Sequence, residues 1–95
     1  MITGFHDRQA ENIFRREGKI KLSGSVRRAA LRKLLLLDAA ENLEDLRFPP
    51  GNRPGAPGLT GAREGQFSIR VNDQWRVCFR WSNGNAVDVE IVDYH

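Results

Sequence analysis

The 95-residue chain has one cysteine, Cys78, one tyrosine, Tyr94, and two histidines, His6 and His95. A single cysteine excludes an internal disulfide and a cysteine-built zinc site, and two histidines would need carboxylates from distant positions to complete one. Long apolar runs are missing too. The longest, Leu34 to Leu37, is far too short to span a bilayer. Met1 to His6 carries no secretory-signal pattern, so the expected setting is a reducing cytoplasm with no membrane partner. There is no internal repeat, no low-complexity tract, no dinucleotide-binding fingerprint, and no glycine-rich phosphate loop opening a helix. Nucleotide hydrolysis is therefore a poor reading. Serine and cysteine lack an evident base, which argues against acyl transfer, and Cys78 reads best as a small residue packed in a strand.

What is present is ordinary globular material. Hydrophobic residues make up 40% and charged residues 28% of the chain, which favours one folded domain over residues 1–95 with a small core. Fifteen Lys and Arg against 12 Asp and Glu give a net charge of +3. That excess permits a nucleic-acid or acidic-protein partner without requiring one.

The N-terminal half reads as helical. Ile2 to Phe5 is a candidate edge strand. Asp7 is placed to cap a helix from about Arg8 to Glu17, with Gly18 as its stop. Ser25 is the expected cap of a second helix reaching about Asn42, with Val26, Ala30, Leu34 and Leu37 on one face. Its other side carries Arg27, Arg28, Arg32 and Lys33, either a solvated face or one that touches a polyanion such as RNA. Residues 47–65 hold all four prolines and five of the nine glycines, and the expectation there is an irregular segment with neither strand nor helix. At that length such a segment is usually functional or mobile.

The last third alternates clearly. Phe67, Ile69 and Val71, then Trp75, Val77, Phe79 and Trp81, then Val87, Val89 and Ile91 sit at every second position. This predicts three half-buried strands in an antiparallel meander, covered on the apolar side by the two helices. Keeping apolar opposite apolar requires Val71 against Trp75 across an Asn72-Asp73-Gln74 loop. It also favours Trp81 against Val87 with Asn83-Gly84-Asn85 at the turn, because a two-residue Asn83-Gly84 hairpin needs a bulge to restore phase. The favoured register sets Arg80 opposite Asp88, a sensible pair, and Arg70 opposite Arg76, an unfavourable one. Two arginines side by side on an accessible polar sheet face are either solvated and paired elsewhere or a phosphate site.

The last strand runs straight into Asp93-Tyr94-His95. Its two readings are an inert polar tail and a general acid–base group. A carboxylate beside the His95 ring would favour its protonated form. Strict alternation separates Asp93 and His95 from Tyr94, so convergence of all three would need a curl at the strand end.

The runs Arg47-Phe48-Pro49-Pro50-Gly51-Asn52-Arg53, Gly61 to Phe79 and Val89 to His95 resemble toxins of the HigB type, in the RelE/ParE superfamily of type II toxin–antitoxin systems. The resemblance extends over almost the whole chain and is most specific from Ser68 to Phe79 and at the closing Asp-Tyr-His. It implies an α+β RelE-like fold, two N-terminal helices on a small antiparallel sheet with a C-terminal three-stranded meander. It also implies cleavage of mRNA in the ribosomal A site without a metal or other cofactor. The implied partners are the bacterial ribosome with its mRNA and a HigA-type helix-turn-helix antitoxin, through which alone operator DNA would be bound. Carried over residue by residue, Asp93, Tyr94 and His95 match the catalytic tail, Arg76 the arginine near the scissile phosphate, and Arg63 that of the Leu-Lys-Gly-Asp-Arg run. Arg70, Arg76, Arg27, Arg28, Arg32 and Lys33 are the candidate RNA-phosphate contacts.

One stretch departs from the pattern. Where relatives have Leu-Lys-Gly-Asp-Arg, this chain has Leu59-Thr60-Gly61-Ala62-Arg63, and Pro57 stands where some members carry a histidine. A cation and a proton-transfer group are thereby missing. Two alternatives stay open: a ParE-like toxin acting on DNA gyrase, and a catalytically inactive relative that binds antitoxin only.

Overall fold

The computed structural model describes residues 1–47, 60–61 and 65–93. Among the described residues, three helices, α1 (Arg8–Arg15), α2 (Gly24–Ala39) and α3 (Leu43–Arg47), precede four strands. These are β1 (Thr60–Gly61), β2 (Gln66–Arg70), β3 (Trp75–Ser82) and β4 (Asn85–Asp93), in one antiparallel sheet of order β1-β2-β3-β4.

Helix ends follow side-chain capping. Asp7 caps α1 as expected, its carboxylate accepting from Ala10 N. The helix stops earlier than Glu17, because Arg16 adopts a left-handed conformation at the C-cap. The cap of α2 is Ser23, not Ser25. Both serines can cap, and starting at the earlier one gains two residues of helix, with Arg27 N donating to Ser23 O at 2.9 Å. The far end also differs. The helix ends at Ala39 instead of reaching Asn42, because Asn42 begins a helix of its own. Asn42 Oδ1 accepts from Asp45 N, while Asp45 Oδ2 accepts from Glu41 N and Asn42 N. This reciprocal cap satisfies donors that a continuous helix would have used differently.

Ala30, Leu34 and Leu37 of α2 and Ala10 and Ile13 of α1 are buried against Ile69, Val77, Phe79, Ala86, Val89 and Ile91 of the sheet. Phe79 is central, stacked on Phe67 at 6.0 Å and edge-on to Trp81 at 6.4 Å. The irregular segment was expected to lack strand and helix throughout. Instead Arg47 closes α3, and Thr60–Gly61 pairs with Ser68 and Phe67. Pairing of β2 gives that stretch backbone partners that no local pattern announces.

The meander confirms one register and revises the other. Arg70 does face Arg76, and Val71 N donates to Trp75 O at 2.9 Å. Asn72 Oδ1 accepts from both Gln74 N and Trp75 N, which fixes the loop between them. The β3–β4 connection is instead the two-residue turn Asn83-Gly84, both with positive φ, so Trp81 faces Ala86 and not Val87. Phase is restored by a bulge. Asp88 takes φ 52°, and beyond it Cys78 faces Glu90 and Val77 faces Ile91. Ala86, Val89 and Ile91 are therefore the buried residues of β4, while Val87, expected on that face, is only half-buried. Arg80 lies opposite Val87, yet its Nε remains 3.9 Å from Asp88 Oδ2 because the bulge turns that carboxylate toward it.

The other face of the sheet is less open than expected. Ser68 is 4% and Cys78 7% exposed, so the centre of this face is packed at β2 and β3, while Glu90 beside them on β4 stays half-buried. Residues Ile2 to Phe5 form isolated parallel bridges with Ala86 and Val89 rather than a continuous edge strand.

Candidate functional site

The end of the sheet where β2 stops, β3 starts and β4 stops gathers three of the candidate residues. Arg70 and Arg76 are neighbours across β2 and β3, Arg76 faces Val92, and Asp93 faces Trp75. The chain reaches this arrangement because the three-residue loop preserves phase, forcing the arginines onto one face.

Each of the two arginines has a polar partner of its own. Arg76 Nε donates to Ser68 Oγ at 2.8 Å, which lays the side chain diagonally over the buried serine. Arg70 pairs with Asp73 in the loop. The Asp73 side chain is 95% exposed, so this ion pair is solvated and weak, and a competing anion can displace it. Gln74 Nε2 donates to Asp93 Oδ2 at 3.1 Å, linking the loop to the end of β4.

A second group of cations approaches from α2. Lys33 is half-buried, and burial is the main reason its pKa is lowered, with Arg32 and then Arg70 adding to the effect. Arg32, Lys33 and Arg70 thus share one field, and an anion among them would relieve their repulsion. Arg27 and Arg28 lie elsewhere. They border a cleft formed with Ile13, Arg16, Gly18 and Leu31 at the junction of α1 and α2. Arg63, Tyr94 and His95 lie outside the described residues.

Three contributors escaped the sequence reading. Ser68 could have been found from the register that placed Arg70 against Arg76, since it is the next residue on that face. Asp73 and Gln74 sit in the loop, where periodicity carries no signal and only the fold shows which neighbour each reaches. Among the described residues no group of three His, Cys, Asp or Glu side chains gathers in a way that could hold a metal ion.

Helices on one face of an antiparallel meander, with a cationic strand end beside an aspartate, define a small α+β protein with a basic, loop-supported site. The chain belongs to the HigB-like toxin family, RelE-like toxins of type II toxin–antitoxin systems, whose family model matches residues 3–95. It is 40% identical over 89 residues to Toxin HigB-1 of Vibrio cholerae, covering 93% of this chain and 92% of that protein. It is 36% identical over 76 residues to an uncharacterized protein of Haemophilus influenzae, covering 79% of this chain and 71% of the relative. A shorter match, 46% identical over 37 residues, joins it to Endoribonuclease HigB of Proteus vulgaris, covering 39% of this chain and 40% of that protein. Membership in this family implies an antitoxin partner. No helix among the described residues is long and apolar enough to cross a membrane.

Proposed function

We propose that this toxin is a ribosome-dependent endoribonuclease that cuts translated mRNA in the A site and needs no metal. The observation that carries the reading is the Arg70–Arg76 pair beside the Asp93 end of β4. A like-charge pair costs stability unless an anion is its intended occupant, and an RNA phosphate matches its chemistry. The similarity to an endoribonuclease of Proteus vulgaris supports the same reading.

In this mechanism the RNA's own 2′-hydroxyl attacks the adjacent phosphate. Arg76, oriented by Ser68, and Arg63 stabilise the charge that accumulates on the phosphorane. Tyr94 and His95 move the protons, one taking the 2′ proton and the other donating a proton to the leaving 5′ oxygen. Asp93 is held by Gln74 at the root of that tail. Arg70, Arg32 and Lys33 bind backbone phosphate, and Arg27 and Arg28 contact RNA or ribosome at a separate place on α2. The ribosome presents the message in a fixed geometry, which is why so small a site suffices. A HigA-type helix-turn-helix antitoxin silences the toxin in the cytoplasm and carries the complex to operator DNA.

The test is cleavage of a defined mRNA on programmed ribosomes against the same mRNA free in solution, using wild type and a Tyr94→Phe/His95→Ala double variant. Cuts are expected only with ribosomes and only with wild type. Intact mRNA in both lanes would sink the reading and turn attention to DNA gyrase.

A further inference from the structure

We infer that Asp7 is a positioning residue that ties the first turn of α1 to the outer edge of β4 and so sets the strand end from which Asp93 projects. The inference rests on the endoribonuclease reading above for its functional consequence. The outer edge of β4 is covered by the N-terminal segment through backbone bonds. Ala86 N donates to Met1 O, Thr3 N to Ala86 O, Val89 N to Gly4 O and His6 N to Val89 O, at 2.8 to 3.1 Å. After His6 the chain turns into α1, and this backbone pairing ends.

The next donor on that edge is Ile91 N. It belongs to a residue 6% exposed, and an unmet backbone N–H there would be costly. Asp7 meets it, with Oδ2 accepting from Ile91 N at 3.0 Å while Oδ1 accepts from Ala10 N at 2.5 Å. One carboxylate thus performs two tasks, helix cap and strand anchor, and both oxygens are needed. Serine would retain the cap but lacks a second acceptor. Asparagine would retain the cap but turn its amide N–H₂ toward the Ile91 donor.

Ile91 stands two residues before Asp93, and Tyr94 and His95 follow directly. On its inner side β4 is held by β3 through Val77↔Ile91 and Trp75↔Asp93. On its outer side Asp7 anchors it two residues before Asp93. A small rotation at Ile91 carries through to the strand end at Asp93, and a misplacement of about 1 Å is enough to slow a positioned reaction.

The experiment compares Asp7→Ser, Asp7→Asn and Asp7→Ala with wild type by thermal melting, amide exchange at Ile91 and single-turnover mRNA cleavage on programmed ribosomes. Serine and asparagine should melt above alanine because they still cap, yet below wild type because the Ile91 donor loses its acceptor. All three should speed exchange at Ile91 by roughly tenfold and slow cleavage by roughly tenfold, with half-saturating ribosome concentration unchanged. A purely structural role predicts something else, cleavage following melting temperature, so wild-type cleavage by Asp7→Ser and Asp7→Asn would overturn the inference. Unchanged exchange at Ile91 in those two variants would overturn it as well. Failure of wild type to cleave would instead remove the endoribonuclease reading, and the Ile91 exchange would still decide whether Asp7 anchors the strand.

Discussion

The hairpin joining β2 to β3 and the hairpin joining β3 to β4 lie at opposite ends of the sheet and keep their strands in phase by different means. The first uses a three-residue loop pinned by Asn72 and needs no bulge. Its consequence is an arginine set against an arginine. The second uses Asn83-Gly84 with both residues at positive φ, then corrects the phase with a bulge at Asp88. Its consequence is a relaxed pairing in which Arg80 keeps a carboxylate within 3.9 Å. The strand end with unfavourable charge is the one that gathers Asp93, Gln74 and Lys33. The strand end with compensated charge is a structural turn. Strain in a sheet is thus informative when the chain had a ready way to avoid it.

Removing one arginine from each end should separate these roles most sharply. Arg76→Ala is expected to slow mRNA cleavage on the order of 100-fold or more, as loss of a charge-stabilising donor does. Arg76→Lys should recover only part of the rate, since a point charge does not reproduce the guanidinium fork. Arg80→Ala should stay within about threefold of wild type. Single-turnover cleavage with circular dichroism as a fold control measures all three, and equal damage by Arg80→Ala would erase the distinction between the two ends.

A smaller effect is expected from the turn. Gly84 has φ 79°, so Gly84→Ala should cost about 1 kcal/mol and lower the melting temperature by roughly 4–8 °C for a domain of this size. Cleavage per folded molecule should not change. A fall in cleavage without a fall in melting temperature would show that the turn end also serves the site.

The smallest effect concerns the packed centre between the hairpins. Burial, and then the Glu90 carboxylate, raise the Cys78 thiol above its usual value of 9.0, with Arg76 opposing. Well below pH 9.0 the thiol is protonated whether the chain is folded or not. As pH rises past that value the unfolded chain ionises first, so stability falls until the folded thiol titrates. Denaturant melts across this range should show the decline, and Cys78→Ser should flatten it.

Much of this architecture is legible in the sequence. Alternation from Phe67 to Ile91 marked the strands, and the spacing of Ala30, Leu34 and Leu37 marked the buried face of α2. The Arg70–Arg76 juxtaposition followed from phase alone. Other features needed partners distant in sequence. Asn42 and Asp45 carry a reciprocal cap that is visible in the chain, but an apolar helix immediately before it masked the signal. Ser68 looked like one more polar strand residue until Arg76 was seen to lie over it. The β3–β4 register could be narrowed to two solutions and not resolved, because a bulge reverses the conclusion that alternation gives.

The sequence by itself determined the class of fold, the antiparallel meander, the paired arginines and the likeness to a toxin family, because periodicity and short motifs are local properties of a chain. Tertiary structure alone decided that Asn83-Gly84 would turn tightly and Asp88 would bulge, that Asp7 would serve α1 and β4 together, and that Lys33 would share a field with Arg70. Each of these depends on which backbone donors and charges meet across the fold, and residues 84 positions apart, such as Asp7 and Ile91, carry no local trace of meeting.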